Sequence, residues 1–325
     1  GTLGFGAKGT WTRTTNRSDY DAKSSMGERH DKIIFDEHVY ALYADLKHPL
    51  SDKWNLRTGL RMEYTHTAGE NNGRQLKHLR SYLNIFPTLF LGYNPSDRHA
   101  FSLNGTVRLN RPHFGQLSPF ASYENQYTIM RGKEDLRAGK QAQLTLGYTF
   151  LGALNFQLGG RYLWDGIIQV IRLDPKTNDA EKALTFSLEN SFFFNRVSFF
   201  QTYISQRLWY ADSKVNTEAT PTYGGSSFGY SVNLNNTFFF NRSKTFQGTC
   251  YFYYETPSYA WGIRNGHSIS GGAGLAYTLL QGKLRIAMNA YNLLCNKNLM
   301  DIETPDYRMH VVNENRVPTC TLRLT

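Results

Sequence analysis

Alternation of apolar and polar side chains limits how this chain can fold more than any other feature, and Trp54–His66 carries it most clearly. Trp54, Leu56, Thr58, Leu60, Met62 and Tyr64 share one parity; Asn55, Arg57, Gly59, Arg61, Glu63 and Thr65 share the other. Successive side chains of a strand point to opposite sides of a sheet, so this segment has one greasy face and one wet face. The pattern recurs and predicts fourteen strands, at 2–14, 38–47, 54–67, 81–93, 98–109, 136–149, 153–171, 182–194, 197–210, 227–240, 244–256, 266–279, 283–294 and 316–325. Tight connections fall at 48–53, 94–97, 151–152, 195–196, 241–243 and 280–282, with Asn, Asp, Gly and Pro where hairpins need them. Long polar ones lie between, at 15–37, 68–80, 110–135, 172–181, 211–226, 257–265 and 295–315. Short turns at one rim and long loops at the other are how a membrane-spanning barrel is built. The expected fold class is all-β, a transmembrane antiparallel up-and-down β-barrel carried by one domain over 1–325.

Composition agrees. The chain has 21 Tyr, 21 Phe, 5 Trp and 28 Gly, and its mean hydropathy is negative, which suits a wall with one polar face and polar loops. No apolar run is long enough for a transmembrane helix, which needs about 18 residues or more. Gly1–Phe5 reads as strand interior and not as a signal peptide, so an excised piece of a longer protein is expected. The net charge of +10 comes from 36 basic and 26 acidic residues scattered singly. Without a compact basic cluster that argues against nucleic acid, and for anionic lipid or a lumen that favours anions. Cys250, Cys295 and Cys320 are far apart and odd in number, so neither a disulfide framework nor a CxxC metal site is expected.

One stretch echoes another. Glu189–Arg196 (ENSFFFNR) returns 46 residues later as Asn235–Arg242 (NNTFFFNR). An aromatic triplet before a tight turn places rings at the lipid–water boundary.

For catalysis the chain offers little. None of its nine His lies in an HExxH frame, and no G-x-S-x-G occurs. His66 and His267 lie near loop mouths, where a histidine is ordinarily a solvated surface group, and no enzyme is expected. Pro87 should mark a bulge. Pro112 should end a strand, because it has no N–H for the ladder, leaving Arg111 at the mouth as a solute or loop anchor, or as a structural corner. Arg57, Arg61, Arg108 and Arg161 fall on the wet parity and tilt the lumen toward anions. Tyr123 and Tyr127, deep in the 110–135 loop, could stack on a sugar or a flat chelate. These seven residues are the expected ligand contacts; no metal or cofactor is implied.

Asn55–Glu70 (NLRTGLRMEYTHTAGE), Tyr82–Tyr93 (YLNIFPTLFLGY), Arg108–Phe120 (RLNRPHFGQLSPF) and Leu284–Lys297 (LRIAMNAYNLLCNK) resemble the barrel of TonB-dependent receptor-like outer-membrane proteins of the Bacteroidetes type. The resemblance implies a barrel of about 22 strands, of which this chain is the C-terminal portion. It also implies an N-terminal plug domain and the TonB complex as partners, with outer-membrane lipid and lipopolysaccharide outside and a surface lipoprotein as a further partner. The function it implies is import of a nutrient too large for porins. The residues leave a second reading open: a self-contained 14-stranded outer-membrane channel, adhesin or scaffold whose long loops bind a partner.

Overall fold

The turn after Phe150 shows how the tight rim is made. Leu151 and Gly152 both take left-handed backbone, at φ 51° and 65°, and the Ala153 N–H donates to the Phe150 carbonyl at 3.0 Å. Two successive positive φ values make a primed turn, whose twist matches that of the strands it joins. At 241–245 side chains close the turn: the Asn241 amide donates to Thr245 Oγ1 at 2.7 Å, and its oxygen accepts from the Phe246 N–H at 3.1 Å.

The computed structural model describes residues 1–20, 29–72, 74–75, 81–118, 122–125, 128–130, 132–133, 136–168, 179–217, 220–260, 262–294, 296–303, 308–315 and 318–325. Fourteen long strands form its wall: β1 (Thr2–Tyr20), β2 (Arg29–Pro49), β3 (Trp54–Asn71), β4 (Ser81–Ser96), β5 (His99–Asn110), β6 (Gly139–Phe150), β7 (Leu154–Ile168), β8 (Asp179–Val197), β9 (Phe200–Thr217), β10 (Thr220–Phe239), β11 (Phe246–Glu255), β12 (Ser268–Leu279), β13 (Leu284–Tyr291) and β14 (Thr319–Leu324). They pair antiparallel in sequence order from β1 to β14, and Arg74–Gln75 adds a short pairing to β3. A separate four-stranded sheet, Ser258–Ala260, Ile263–Asn265, Asn296–Glu303 and Arg308–Asn315, stands on the long-loop side.

Register keeps one parity on one side across the sheet. Leu46, Thr58 and Leu89 lie in one row, and Leu103, Leu146, Leu158, Leu188 and Leu208 in another. Large apolar groups on this side lie open even in the middle of the sheet: Leu144 and Leu158 are each 53% exposed. Exposure on that scale is untenable against water and is what lipid requires. Toward the tight rim the same face carries a ladder of rings. Trp54 stacks on Tyr93 at 4.3 Å, followed by Phe101, Tyr148 and Phe156 at successive centroid distances of 6.1, 4.8 and 6.3 Å. At the opposite rim Trp11 meets Tyr40 edge-on, its indole N–H donating to the phenol at 3.2 Å, and Tyr162 stacks with Trp164. These are the two aromatic girdles of a membrane barrel. The repeated Phe triplets contribute their first and third rings to this face, while Phe193 and Phe239 pair with Tyr203 and Gln247 on the inner one.

Three local expectations change. The tight turn expected at 195–196 lies at 198–199, since β8 runs on to Val197 and β9 starts at Phe200. Several long loops shrink, because strands continue past the lipid band: β1 and β2 pair as far as Tyr20↔Arg29. And Pro87 makes no bulge. Pairing of β4 with β3 runs without a register shift from Trp54↔Tyr93 to His66↔Ser81, whereas pairing of β4 with β5 stops at Thr88↔Thr106. Proline has no N–H for a ladder, so above Pro87 the wall divides and β5 continues paired only with β6, up to Asn110↔Gly139.

Candidate functional site

The division above Pro87 is where the polar groups of the inner face converge. Pro112 ends β5, as its missing N–H requires, and the backbone turns into a short helix at Phe114–Leu117. The His113 N–H donates to Gln116 Oε1 at 3.0 Å, capping that turn. Two crossing bonds, Gly132 N–H to the Ser118 carbonyl and Lys133 N–H to the Gln116 carbonyl, both 2.7 Å, tie the returning segment to it. Arg111 is thereby swung back over the inner wall, past β4. Its Nη2 donates to Glu63 on β3 and to Thr65 Oγ1 at 3.3 Å. Its Nε lies 3.7 Å from Glu37 Oε1 on β2, close enough for charge attraction and too far for a hydrogen bond. The other Glu63 oxygen accepts from Arg61 Nε at 2.6 Å, and Arg61 also lies over the Tyr43 ring, 5.9 Å from its centre.

Glu63, Thr65 and Asn84 are all buried, so this is a low-dielectric knot of charge at the edge of a hydrated lumen. Burial works against the Arg111 guanidinium, but the Glu63 carboxylate more than offsets it and holds the pKa above its ordinary value. Arg111 is thus a permanent cation fixing the start of the loop to the wall. Below it a recess of about 510 Å³ is lined by Tyr43, Arg61, Glu63, Phe86, Arg108 and Arg111.

The sequence-predicted contacts divide accordingly. Arg61, Arg108 and Arg111 meet in this recess. Arg57 shares their face but lies lower, over the Phe90 ring at 5.7 Å. Arg161 also faces inward, opposite Gln143 and Thr185 on the neighbouring strands, and is not part of the knot. Tyr123 falls in the short strand Ser122–Asn125, apart from the wall; Tyr127 lies outside the described residues. Sequence reasoning missed Glu37, Thr65 and Asn84. Asn84 had a signal, since it shares the wet parity with Phe86 and sits opposite Glu63. Of the two mouth histidines, His66 bonds Ser81 Oγ at 2.8 Å on the outward face. Among the described residues no group of three or more His, Cys, Asp or Glu is placed to hold a metal ion.

Solved structures share this wall. The ferric yersiniabactin uptake receptor FyuA of Yersinia pestis superposes with TM-score 0.64 over 96% of this chain and 49% of its own, at 16% identity. The ferric-catecholate import receptor Fiu of E. coli K12 gives 0.66 over 98% and 51%, at 13%. The siderophore receptor PiuA of Acinetobacter baumannii gives 0.65 over 99% and 52%, at 12%. At these identities the likeness is one of fold, and the chain spans about half the length of each receptor. No curated protein matches. A lipid-exposed apolar face, paired aromatic girdles, receptor-like topology and a family model matched across residues 1–325 lead to one conclusion: the chain belongs to the outer membrane protein β-barrel family and resides in the cell outer membrane.

Proposed function

We propose that the chain is the C-terminal wall of a TonB-dependent receptor-like importer, which binds a nutrient too large for porins at its loop-bearing mouth and passes it along the polar inner face. In this reading the full protein also holds a plug domain, draws energy through the TonB complex, and performs no catalysis. The observation that carries it is the turn of the chain after β5 into the Phe114–Leu117 helix with Arg111 bonded to Glu63 on the inner face, an arrangement that suits a structured mouth better than an open pore. Superposition on about half of three uptake and siderophore receptors supports the same reading.

Uptake of labelled ferric siderophores, oligosaccharides and peptides by cells with and without the intact gene tests it, with and without an uncoupler. Gene-dependent uptake that the uncoupler abolishes supports an energised importer. Gene-dependent flux that survives the uncoupler means a passive channel. A second reading, a barrel that binds a partner through its loops, is favoured by the four-stranded sheet raised on the long-loop side, which offers a rigid surface. Loops that capture a protein ligand without any flux would establish it.

A further inference from the structure

Above the Arg111 knot, between the inner wall and the folded-back segment, lies a second recess of about 430 Å³. Its apolar side is Leu117 and Leu136 from the segment, together with Phe35 from β2. Its polar side includes Glu37, Asn84, Arg137, Lys140 and Asp165. Asn84 is 5% exposed, and its Nδ2 has no hydrogen-bond partner among the described residues. Arg111 Nε, beside it through their common neighbour Glu63, is a second buried donor in the same condition. A buried amide N–H that meets no acceptor is costly, and proteins keep such groups where something else completes them. Asp165 is placed by local distortion: pairing of β7 with β8 shifts register between Leu163 and Gly166, and Asp165 sits in that bulge at φ 52°. Bulges re-aim side chains in this way beside binding sites.

From these groups we infer that the recess binds a short peptide with free termini and apolar side chains. Asn84 and Arg137 offer donors to the C-terminal carboxylate. Asp165, with Glu37, offers acceptors to the terminal ammonium, and the Leu117–Leu136 surface takes an aliphatic side chain. Arg137 and Lys140 balance Glu37 and Asp165 in the lining, which suits a ligand that carries both charges, and a sugar would leave the apolar side uncovered. The inference rests on the import reading only for the fate of the bound peptide.

The test is equilibrium binding of trileucine, and of trileucine acetylated and amidated at its ends, to the full-length protein purified in detergent. Trileucine should bind saturably and the capped peptide far more weakly. Asn84→Leu and Arg137→Gln should each weaken trileucine by about tenfold or more, the scale of one hydrogen bond to a charged group. Asn84→Leu should meanwhile leave the barrel as stable as wild type or more so, since it removes an orphaned donor while keeping the shape. Absence of saturable trileucine binding, or equal binding by the variants or by the capped peptide, overturns the inference. The two readings fail separately. Energised uptake of another solute with no response to trileucine sinks this inference alone, whereas trileucine binding without any energised uptake sinks only the import reading.

Discussion

Glu63 shows what a single carboxylate can organise. It faces inward from β3 and accepts from Arg61 on its own strand and from Arg111 some fifty residues on. Glu63→Gln keeps the size and removes the charge, leaving two guanidinium groups without their shared anion. It should lower the stability of the folded barrel by about 2 kcal/mol, the range for hydrogen bonds to charged groups, read from denaturant unfolding in detergent or bilayer. Arg111→Ala should cost a similar amount and, in addition, open the 111–138 segment to protease, a readout that Glu63→Gln shares only if the anchor is lost with it. Arg111→Lys should not restore protection, because a lysine cannot present the forked donors that reach Glu63 and Thr65 together. The wet parity of Glu63 and Arg61 was legible from alternation alone. Their union with Arg111 was not: no local pattern announces that a residue after β5 will reach over β4 to β3.

At the scale of elements, turns decide register and hairpins decide reach. Gly152 meets nothing within 4 Å of where a Cβ would stand, so any cost of substituting it is conformational. Gly152→Val should destabilise by about 1–2 kcal/mol, because a left-handed residue pays that steric penalty. Leu151→Asn should stabilise by a few tenths to about 1 kcal/mol, since asparagine tolerates the same backbone better than leucine. Unfolding midpoints at unchanged slope would check both. Sequence placed the turns at 151–152 and 241–243 correctly, because Gly and Asn mark them. It put the turn between β8 and β9 at 195–196, misled by Asn195, whereas the chain turns at 198–199, which carries no such residue. It ended β1 and started β2 too early and too late, respectively, because alternation weakens once both faces meet water. The outer hairpin is held instead by cross-strand pairs such as Arg13 with Asp36 at 3.2 Å and Asp19 with His30 at 2.7 Å, which leave no apolar periodicity to read.

For the whole molecule, the apolar face and its ring ladders require lipid on one side and water on the other. The protein should therefore fractionate with outer membranes, resist extraction by high salt and migrate faster on electrophoresis before boiling than after. Solubility without detergent would contradict the lipid-facing assignment. The division above Pro87 gives this wall a mechanical character that a uniform sheet lacks. Where neighbouring strands are paired end to end, as β1 and β2 are from Thr2↔Lys47 to Tyr20↔Arg29, bending the wall means breaking many hydrogen bonds at once. Between the upper parts of β4 and β5 there is little to break, and the wall has a crease. Deformation of the cross-section will concentrate along that line, with the Arg111 arm lying across it as a tie between the two sides. Pro87→Val restores the missing donor toward β5 and should slow amide exchange at Val107, the next residue across from it; a crease sewn shut in this way would make a stiffer mouth, and a segment that no longer moves with its wall.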